Sequence, residues 1–446
     1  MTKKIHIDMP PAAARIVGRL QQAGYEAYVV GGCVRDSVLG RTPGDWDITT
    51  SALPDQVKAL FRRTIDTGIQ HGTVTVMDGA DGYEVTTYRL DGIYEDGRHP
   101  RDVEFTSSLT EDLKRRDFTI NAMAYNDTDG LVDQFGGLED LRRGVIRCVG
   151  CARERFSEDA LRLMRAVRFS AQLGFAVEEE TLLAAKELAH TLSKVSKERI
   201  QTELNKLLVS PHPGYFRLLY ETGMTKVVLP EFDVLMELPQ RNPFHRYTVG
   251  EHTLKAVEAA PPRLAVRLTM LLHDVGKGWT GTTDEKGCDH FYGHGAESTK
   301  WAETFLRGLK YDNHTIQKVC LLIKWHDYAL HADKKDIRRL MSKVGPENFP
   351  DLLDVFEADT LAKSDLAISL IMPELAKIRQ LTAQIQKDQE CVSLADLAVG
   401  GNDLIAAGMK PGPQLGQELK RLLELVLEDP ACNTREYLLS QIGKIT

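Results

Sequence analysis

Two aspartates stand one residue apart in GDWDITT, at Asp45 and Asp47. Read as an extended segment, the alternation places both carboxylates on one face and Trp46 and Ile48 on the other. Like charges that close repel, and a cation between them is the natural resolution. Magnesium suits hard oxygen donors and bridges readily to phosphate oxygens. Upstream, Gly31-Gly32 closes the β-rich run YEAYVVGG and precedes the short helical pattern CVRDSVLG. Bare backbone amides at such a junction can approach a triphosphate. Taken singly, each feature also reads as an ordinary turn. Glu84, in GYEVTTYR, is either a third carboxylate for the same cations or a plain strand residue.

A second set of reactive side chains lies on helical patterns later in the chain: NPFHRYTVGEHTLKAV (242–257), TMLLHDVGKG (269–278), FYGHGAES (291–298), LIKWHDYAL (322–330) and FEADTLAKS (356–364). His252, the His273-Asp274 doublet and Asp359 resemble the H…HD…D metal set of HD-domain phosphohydrolases. His294 and His326 fall where the binuclear members add ligands. Imidazole with carboxylate suits manganese, nickel, iron or zinc. A lone histidine is more often structural, and the segment also reads as a plain helical body. His245 is read as a helix-boundary or core histidine. CVGC at Cys148–Cys151 has no second cysteine pair to complete a zinc site and reads as two ordinary thiols.

The third feature is RFSEDALRLMRAVRF. Ser157 suits an N-cap, with Glu158 and Asp159 in a favourable first turn. Asp159, Arg162, Arg165 and Arg168 recur every third residue opposite Leu161, Met164 and Val167. Three arginines in one stripe suit a triphosphate, although ordinary helices carry solvated Asp–Arg pairs at this spacing.

The elements that must position these residues alternate between helix and strand over roughly the first 150 residues. PAAARIVGRLQQAG reads as an amphipathic helix, LPDQVKALFRR as a helix with Pro54 in its first turn, and HGTVTVMDG and GYEVTTYRL as strands. From Ser157 the pattern is almost wholly helical. Prolines 211, 213, 230, 239 and 243 punctuate a boundary, and GGNDLIAAGMKPGPQLGQ breaks the helices again. The 446 residues exceed what one core usually organises. Lys and Arg number 56 against 64 Asp and Glu, so the net charge is −8. That argues against a protein coated in nucleic acid but leaves room for local basic surfaces. The start, MTKKIHIDMPPAAARI, lacks the apolar core of a signal peptide, and no apolar run approaches a membrane span. Seven scattered cysteines suit a reducing cytoplasm.

VVGGCVRD (29–36), GDWDITT (44–50), RRDFTINAMAYN (115–126), LVDQFGGLEDLRRGVIRCVG (131–150) and RFSEDALRLMRAVRFSAQLGF (155–175) occur in that order. They are similar to the successive motifs of the class II tRNA nucleotidyltransferases, the CCA-adding enzymes, whose bacterial relatives include poly(A) polymerases. The Gly-Gly turn followed by Asp-x-Asp resembles the signature of the DNA polymerase beta superfamily. The resemblance implies an α+β fold: a nucleotidyltransferase head over 1–150, then an all-α neck (151–210), body (211–395, with the HD-type segment at about 245–365) and tail (396–446). It implies two Mg²⁺ at Asp45 and Asp47, with CTP, ATP and the acceptor and T-arm region of tRNA as partners in the cytoplasm, and no membrane. It places Gly31, Gly32 and Arg35 at the incoming nucleotide, Arg116 at a phosphate, and Asp117 and Asn121 on the ribose side. Arg35–Asp36 reads equally as a local ion pair.

Asp159 and Arg162 would read the base. Cytosine and adenine each present an amino donor beside a ring-nitrogen acceptor, and guanine and uracil present the reverse order. An acceptor beside a donor therefore accepts C and A and leaves groups unpaired against G and U. LDGIYEDGRHPRDV, between Arg89 and Glu104, resembles the flexible loop kept by full CCA-adding and A-adding members and shortened in CC-adding ones. MKPGPQLGQELKRLL resembles the family tail, where backbone amides contact RNA phosphate, and reads equally as a simple loop–helix junction. The alternatives are an A-adding enzyme, a poly(A) polymerase (whose bacterial forms usually carry basic extensions) and an HD phosphohydrolase with a vestigial head.

Overall fold

The computed structural model describes residues 5–91 and 103–443; most of the expected flexible loop, LDGIYEDGRHPRDV, lies outside them. The chain divides into two compact units, Met1–Pro230 and Glu231–Thr446. The division falls inside the proline-punctuated stretch, so residues 211–230, read from the sequence as the start of the body, pack with the first unit.

Helix α1 (Pro11–Gln22) buries Ala13, Ile16, Val17 and Leu20, the face its spacing dictates. It is followed by β1 (Ala27–Val30), α2 (Gly32–Val38), β2 (Ile48–Thr50), α3 (Pro54–Leu60), β3 (Thr64–Gly68), β4 (Thr73–Asp78) and β5 (Asp81–Thr87). Two short strands, β6 (Arg89–Asp91) and β7 (Val103–Phe105), pair with each other; then come α4 (Leu109–Lys114), β8 (Met123–Asn126), β9 (Gly130–Asp133) and α5 (Gly137–Arg143). Seven strands form one sheet in the order β3-β4-β5-β2-β1-β8-β9. β2 and β5 run parallel and the other neighbours antiparallel. β1 and β8, both interior strands, are buried along their whole length, and Tyr28, Val30, Tyr88, Leu113 and Ala124 share one core cluster.

Asp45 and Asp47 lie on the lead-in to β2 rather than within it. The reason is the partner strand. The β1–β2 ladder ends at Val29↔Ile48 with one further bond, Val30 N–H to the Asp47 carbonyl at 3.0 Å. Gly31 then turns the chain away at φ +81° into α2, so nothing remains to pair with residues before Asp47.

Helices α6 (Ala152–Glu158), α7 (Leu161–Leu173), α8 (Glu179–Leu188) and α9 (Lys197–Leu208) complete the working part of the first unit. The expected helix start at Ser157 is not observed: Ser157 lies inside α6, and the break falls at Asp159, whose backbone is extended (φ −139°, ψ 104°). The Asp159 carboxylate accepts the Leu161 N–H at 3.0 Å, so an Asp side chain competes with the backbone and opens the next helix.

The second unit is helical. Val249–Ala259, Leu264–Leu272, His294–Gly308, Asn313–Trp325 and Phe349–Leu361 surround one apolar interior. The tail helix Pro413–Glu428 packs Leu422, Leu423, Val426 and Leu427 into a core of its own with Val399, Leu404 and Leu438. Arg338 donates to the carbonyls of Leu427 (3.0 Å) and Glu428 (3.2 Å), a cation closing that helix's C-terminus. Among the described residues no helix is long and apolar enough to cross a membrane, and all seven cysteines are free.

Candidate active site

The β2–β5 register Ile48↔Val85 puts Glu84 next to Asp47, one residue back along both strands. Asp45, Asp47 and Glu84 all keep their side chains open to solvent. Protein nevertheless crowds the Asp47 carboxyl. That burial and the Asp45 charge push it up to about 6, Arg116 opposes the rise, and Glu84 adds to it. A carboxylate unsettled by two acidic neighbours is a donor set short of positive charge, and hard oxygen ligands of this kind fit magnesium.

Above the carboxylates, Gly31 needs its glycine twice over. Its φ is positive, and a Cβ there would lie 3.0 Å from Arg116 Nη1. Its own N–H is committed to the Met123 carbonyl at 3.1 Å, so the phosphate-facing amides would be those of the first turn of α2, which have no earlier carbonyl to bond. Arg116 approaches Asp112 at 3.6 Å through Nη2, while its Nε is buried without a partner. An orphaned guanidinium N–H is the kind of donor an anion satisfies.

A chain of charge-assisted hydrogen bonds leads from α2 to α7. Arg35 does form the local pair, bidentate with Asp36 at 2.9 Å for each bond, and also donates to Asn121 Oδ1 at 2.7 Å. Asn121 donates to Asp117 at 3.1 Å, and Arg165 Nε reaches the other Asp117 oxygen at 2.7 Å. Burial acts against the Asp117 carboxylate, but the Arg165 charge and the Asn121 bond prevail and hold it at about 2. Phe169 is the apolar hub: Arg35, Arg165 and Arg168 lie 5.1, 5.3 and 3.7 Å from its ring centroid.

On α7 the expected arginine stripe is not a solvated surface. Arg168 is buried and donates to Glu203 at 2.8 Å. Arg162, also buried, spends both Nη1 hydrogens on Glu158 (2.6 Å) and the Arg155 carbonyl (3.1 Å) and one Nη2 hydrogen on the Arg115 carbonyl (2.8 Å). One Nη2 hydrogen and Nε–H remain for a ligand. Asp159 does not pair with the Arg162 side chain; its Oδ2 accepts from Arg199 at 2.7 Å. Arg199 and Glu203 were not legible in the sequence, because each meets its partner across some forty residues of chain. The one available signal was a cation, Arg199, in the first turn of α9, where the helix dipole disfavours it.

In the second unit the six expected residues do come together. His252 Nε2 lies 3.3 Å from His273 Nε2 and 3.0 Å from Asp359 Oδ1. His294 Nε2 lies 3.1 Å from His326 Nε2. Asp274 stands between them, with Oδ2 3.2 Å from His273 and Oδ1 3.3 Å from His294. Every Nδ1 in the set faces a backbone carbonyl: Ala362, Met270, Phe291 and Ile323, at 3.2, 2.7, 2.8 and 2.6 Å. A carbonyl can only accept, so each Nδ1 carries a hydrogen and Nε2 is the ring nitrogen that faces inward. Lys277 and Lys363 hold Asp274 (2.7 Å) and Asp359 (2.6 Å) from the rim. His245 lines the same cavity, its Nδ1 buried and unpartnered. Burial, Lys277 and His252 push His245 down to about 3, which keeps it neutral.

The sheet with its paired carboxylates, followed by helices carrying the arginine network, defines a nucleotidyltransferase of the polymerase beta type. Family models agree along the chain: "Poly A polymerase head domain" matches 27–147, "Probable RNA and SrmB- binding site of polymerase A" matches 174–236, and "tRNA nucleotidyltransferase domain 2 putative" matches 294–442. The chain is 38% identical over 436 residues to the CCA-adding enzyme of Levilactobacillus brevis, with 96% of each chain covered. It is 37% identical over 441 residues to that of Lactiplantibacillus plantarum, covering 96% of this chain and 94% of the other. The structure matches that of the Bacillus stearothermophilus CCA-adding enzyme in complex with CTP at a TM-score of 0.73 and 32% identity, with 97% of each chain covered. The chain belongs to the CCA-adding enzymes, a family of tRNA nucleotidyltransferases, and the A-adding and poly(A) alternatives are not favoured.

Proposed function

We propose that this chain builds and repairs the 3′-terminal CCA of tRNA from CTP and ATP, with protein side chains in place of a template strand. The observation that carries the reading is an acceptor, Asp159, at the α6–α7 break, beside a donor, Arg162, whose backbone N–H bonds the Asp159 carbonyl at 3.0 Å. Both belong to the compact unit that holds the paired carboxylates. The terminal hydroxyl of the RNA gives its proton to solvent and attacks the α-phosphorus. One P–O bond forms, the bond to the β-phosphate oxygen breaks, and pyrophosphate leaves. Asp45 and Asp47, with Glu84 beside them, would hold two Mg²⁺, which when bound neutralise charge on the attacking and leaving oxygens. The first turn of α2 and the unpartnered Arg116 Nε–H receive the triphosphate. Arg35, Asn121 and Asp117 fix the sugar side through the bonds that tie them to Arg165. Asp159 accepts the amino hydrogen of C or A, and the remaining Arg162 N–H groups donate to its ring nitrogen.

The division of labour follows: head over 1–150, neck over 151–210, and body and tail holding the RNA, with the tail junction at MKPGPQLGQ against phosphate. The test is nucleotide addition by the purified protein to tRNA transcripts lacking their last residues. Asp45→Ala and Asp47→Ala should each abolish addition while leaving the fold intact; retained addition in either removes the metal role.

A second reading concerns the His/Asp cluster, which we propose binds a pair of transition-metal cations. Four inward-facing Nε2 atoms and a buried Asp274 Oδ1 with no hydrogen-bond partner support it. Donors around a cation held at about 2.1 Å stand about 3.0–3.4 Å apart, which is the spacing found within each histidine pair. Such a centre supplies a Lewis acid for phosphate esters. Metal content after loading with Mn²⁺ tests it: about two ions per chain are expected, falling in His273→Ala, and no Mn²⁺ above that variant's level overturns it.

A further inference from the structure

Helix α9 lies behind the nucleotide-reading helix, and its charges mirror those of α7. Arg199 and Glu203 are four residues apart and therefore share one face of α9. Arg199 meets the anionic residue Asp159, and Glu203 meets the cationic ones, donated to by Arg168 at 2.8 Å and 4.0 Å from Arg165 Nη1. We propose that Arg199 is a specificity-determining positioning residue: it locks the plane of the Asp159 carboxylate and so sets the acceptance of C and A over U and G. This rests on the reading of Asp159 as the base acceptor.

Three observations carry it. Asp159 sits on extended backbone between two helices, where no helical turn restrains its side chain. Its two oxygens are fixed by two different elements: Oδ1 by the Leu161 N–H of α7 at 3.0 Å, and Oδ2 by the Arg199 guanidinium of α9 at 2.7 Å. Two anchors on separate elements define a plane, and the remaining lone pairs then point one way. Finally, the pair is largely shielded from solvent, with side chains 22% and 16% exposed, so water competes little for the contact.

The consequence concerns wrong bases. Uracil and guanine bring a carbonyl oxygen where C and A bring an amino group, so a fixed carboxylate meets them lone pair against lone pair. Freed from Arg199, the carboxylate can rotate about its side-chain bonds and relieve that repulsion. Loss of Arg199 should therefore raise the use of wrong nucleotides more than it lowers the use of right ones.

The test is single-nucleotide kcat/KM for CTP, ATP, UTP and GTP on a tRNA transcript lacking its CCA end, for wild type, Arg199→Met, Arg199→Lys and Asp159→Ala, with Tm for each. The expected result is a roughly tenfold or larger fall in the CTP:UTP ratio in Arg199→Met, equivalent to about 1.4 kcal/mol. Arg199→Lys should recover part of it. A parallel loss for all four nucleotides, or an unchanged ratio, overturns the proposal. Should Arg199→Met not fold, Arg199→Lys decides: a reduced ratio supports the proposal, and an unchanged ratio or parallel loss overturns it. If Asp159→Ala itself leaves the ratio intact, the base-acceptor reading falls and this one with it. If Asp159→Ala relaxes the ratio and the Arg199 variants do not, this inference alone falls.

Discussion

At the scale of single residues, the carboxylate pair shows how a crowded acidic position works against the stability of its own fold. The Asp47 carboxyl is raised to about 6 by burial and by Asp45, above its ordinary value in the unfolded chain. A raised acid binds its proton more tightly when folded, so this group favours the folded state as pH falls toward 5 and disfavours it at pH 7. In metal-free protein at pH 7, Asp47→Asn should therefore show an unchanged or slightly higher Tm while nucleotide addition is lost; a clear fall in Tm would contradict this. Gly31 is the opposite case. Its positive φ and the 3.0 Å approach of a Cβ to Arg116 mean that Gly31→Ala strains the backbone, by about 1–3 kcal/mol, and displaces a phosphate donor. Tm and the KM for CTP should worsen together. The identity of these residues could be read from the sequence, since Gly-Gly and Asp-x-Asp are local patterns. The orphaned Arg116 Nε could not, because it depends on Asp112, Gly31 and the sheet meeting in space.

At the scale of elements, the unit of function is a pair of helices rather than a motif. The spacing of Asp159, Arg162, Arg165 and Arg168 marked α7 as special, yet it misplaced the helix start. Ser157 and Glu158 look like a cap and first turn, and only the Asp159 side chain's bond to Leu161 N–H moves the break two residues on. The stripe also read as a surface for a triphosphate, whereas Arg168 is drawn to Glu203 of α9 and Arg165 chiefly to Asp117. Pairing across so much chain leaves no periodicity to detect. Glu203 is nearly fully buried, so truncating it strips Arg168, also buried, of its carboxylate partner. Glu203→Ala should cost about 3–5 kcal/mol, read as a large fall in Tm, whereas Glu203→Gln keeps an acceptor and should cost markedly less. Equal losses in the two variants would mean that shape, not charge, holds α9 to α7.

At the scale of the whole molecule, a fold of two compact units carries two clusters with different donor chemistry. Carboxylates stand under a glycine turn in the first unit, and imidazoles with carboxylates stand in the second. Ordered motifs made the carboxylates and glycines of the first unit legible, though not the partners Arg199 and Glu203. The second unit showed only through His and Asp identity, and the inward-facing Nε2 atoms required the structure. Separate units predict separable losses: His273→Ala should reduce bound Mn²⁺ without abolishing CMP or AMP addition, and loss of both would tie the clusters together. What the first unit makes is read from the length and sequence of its product. Given a tRNA transcript lacking its CCA end and all four labelled nucleotides, the product should gain two CMP, then one AMP, and then stop growing. A long run of A, or addition only to transcripts that already end in CC, would contradict it.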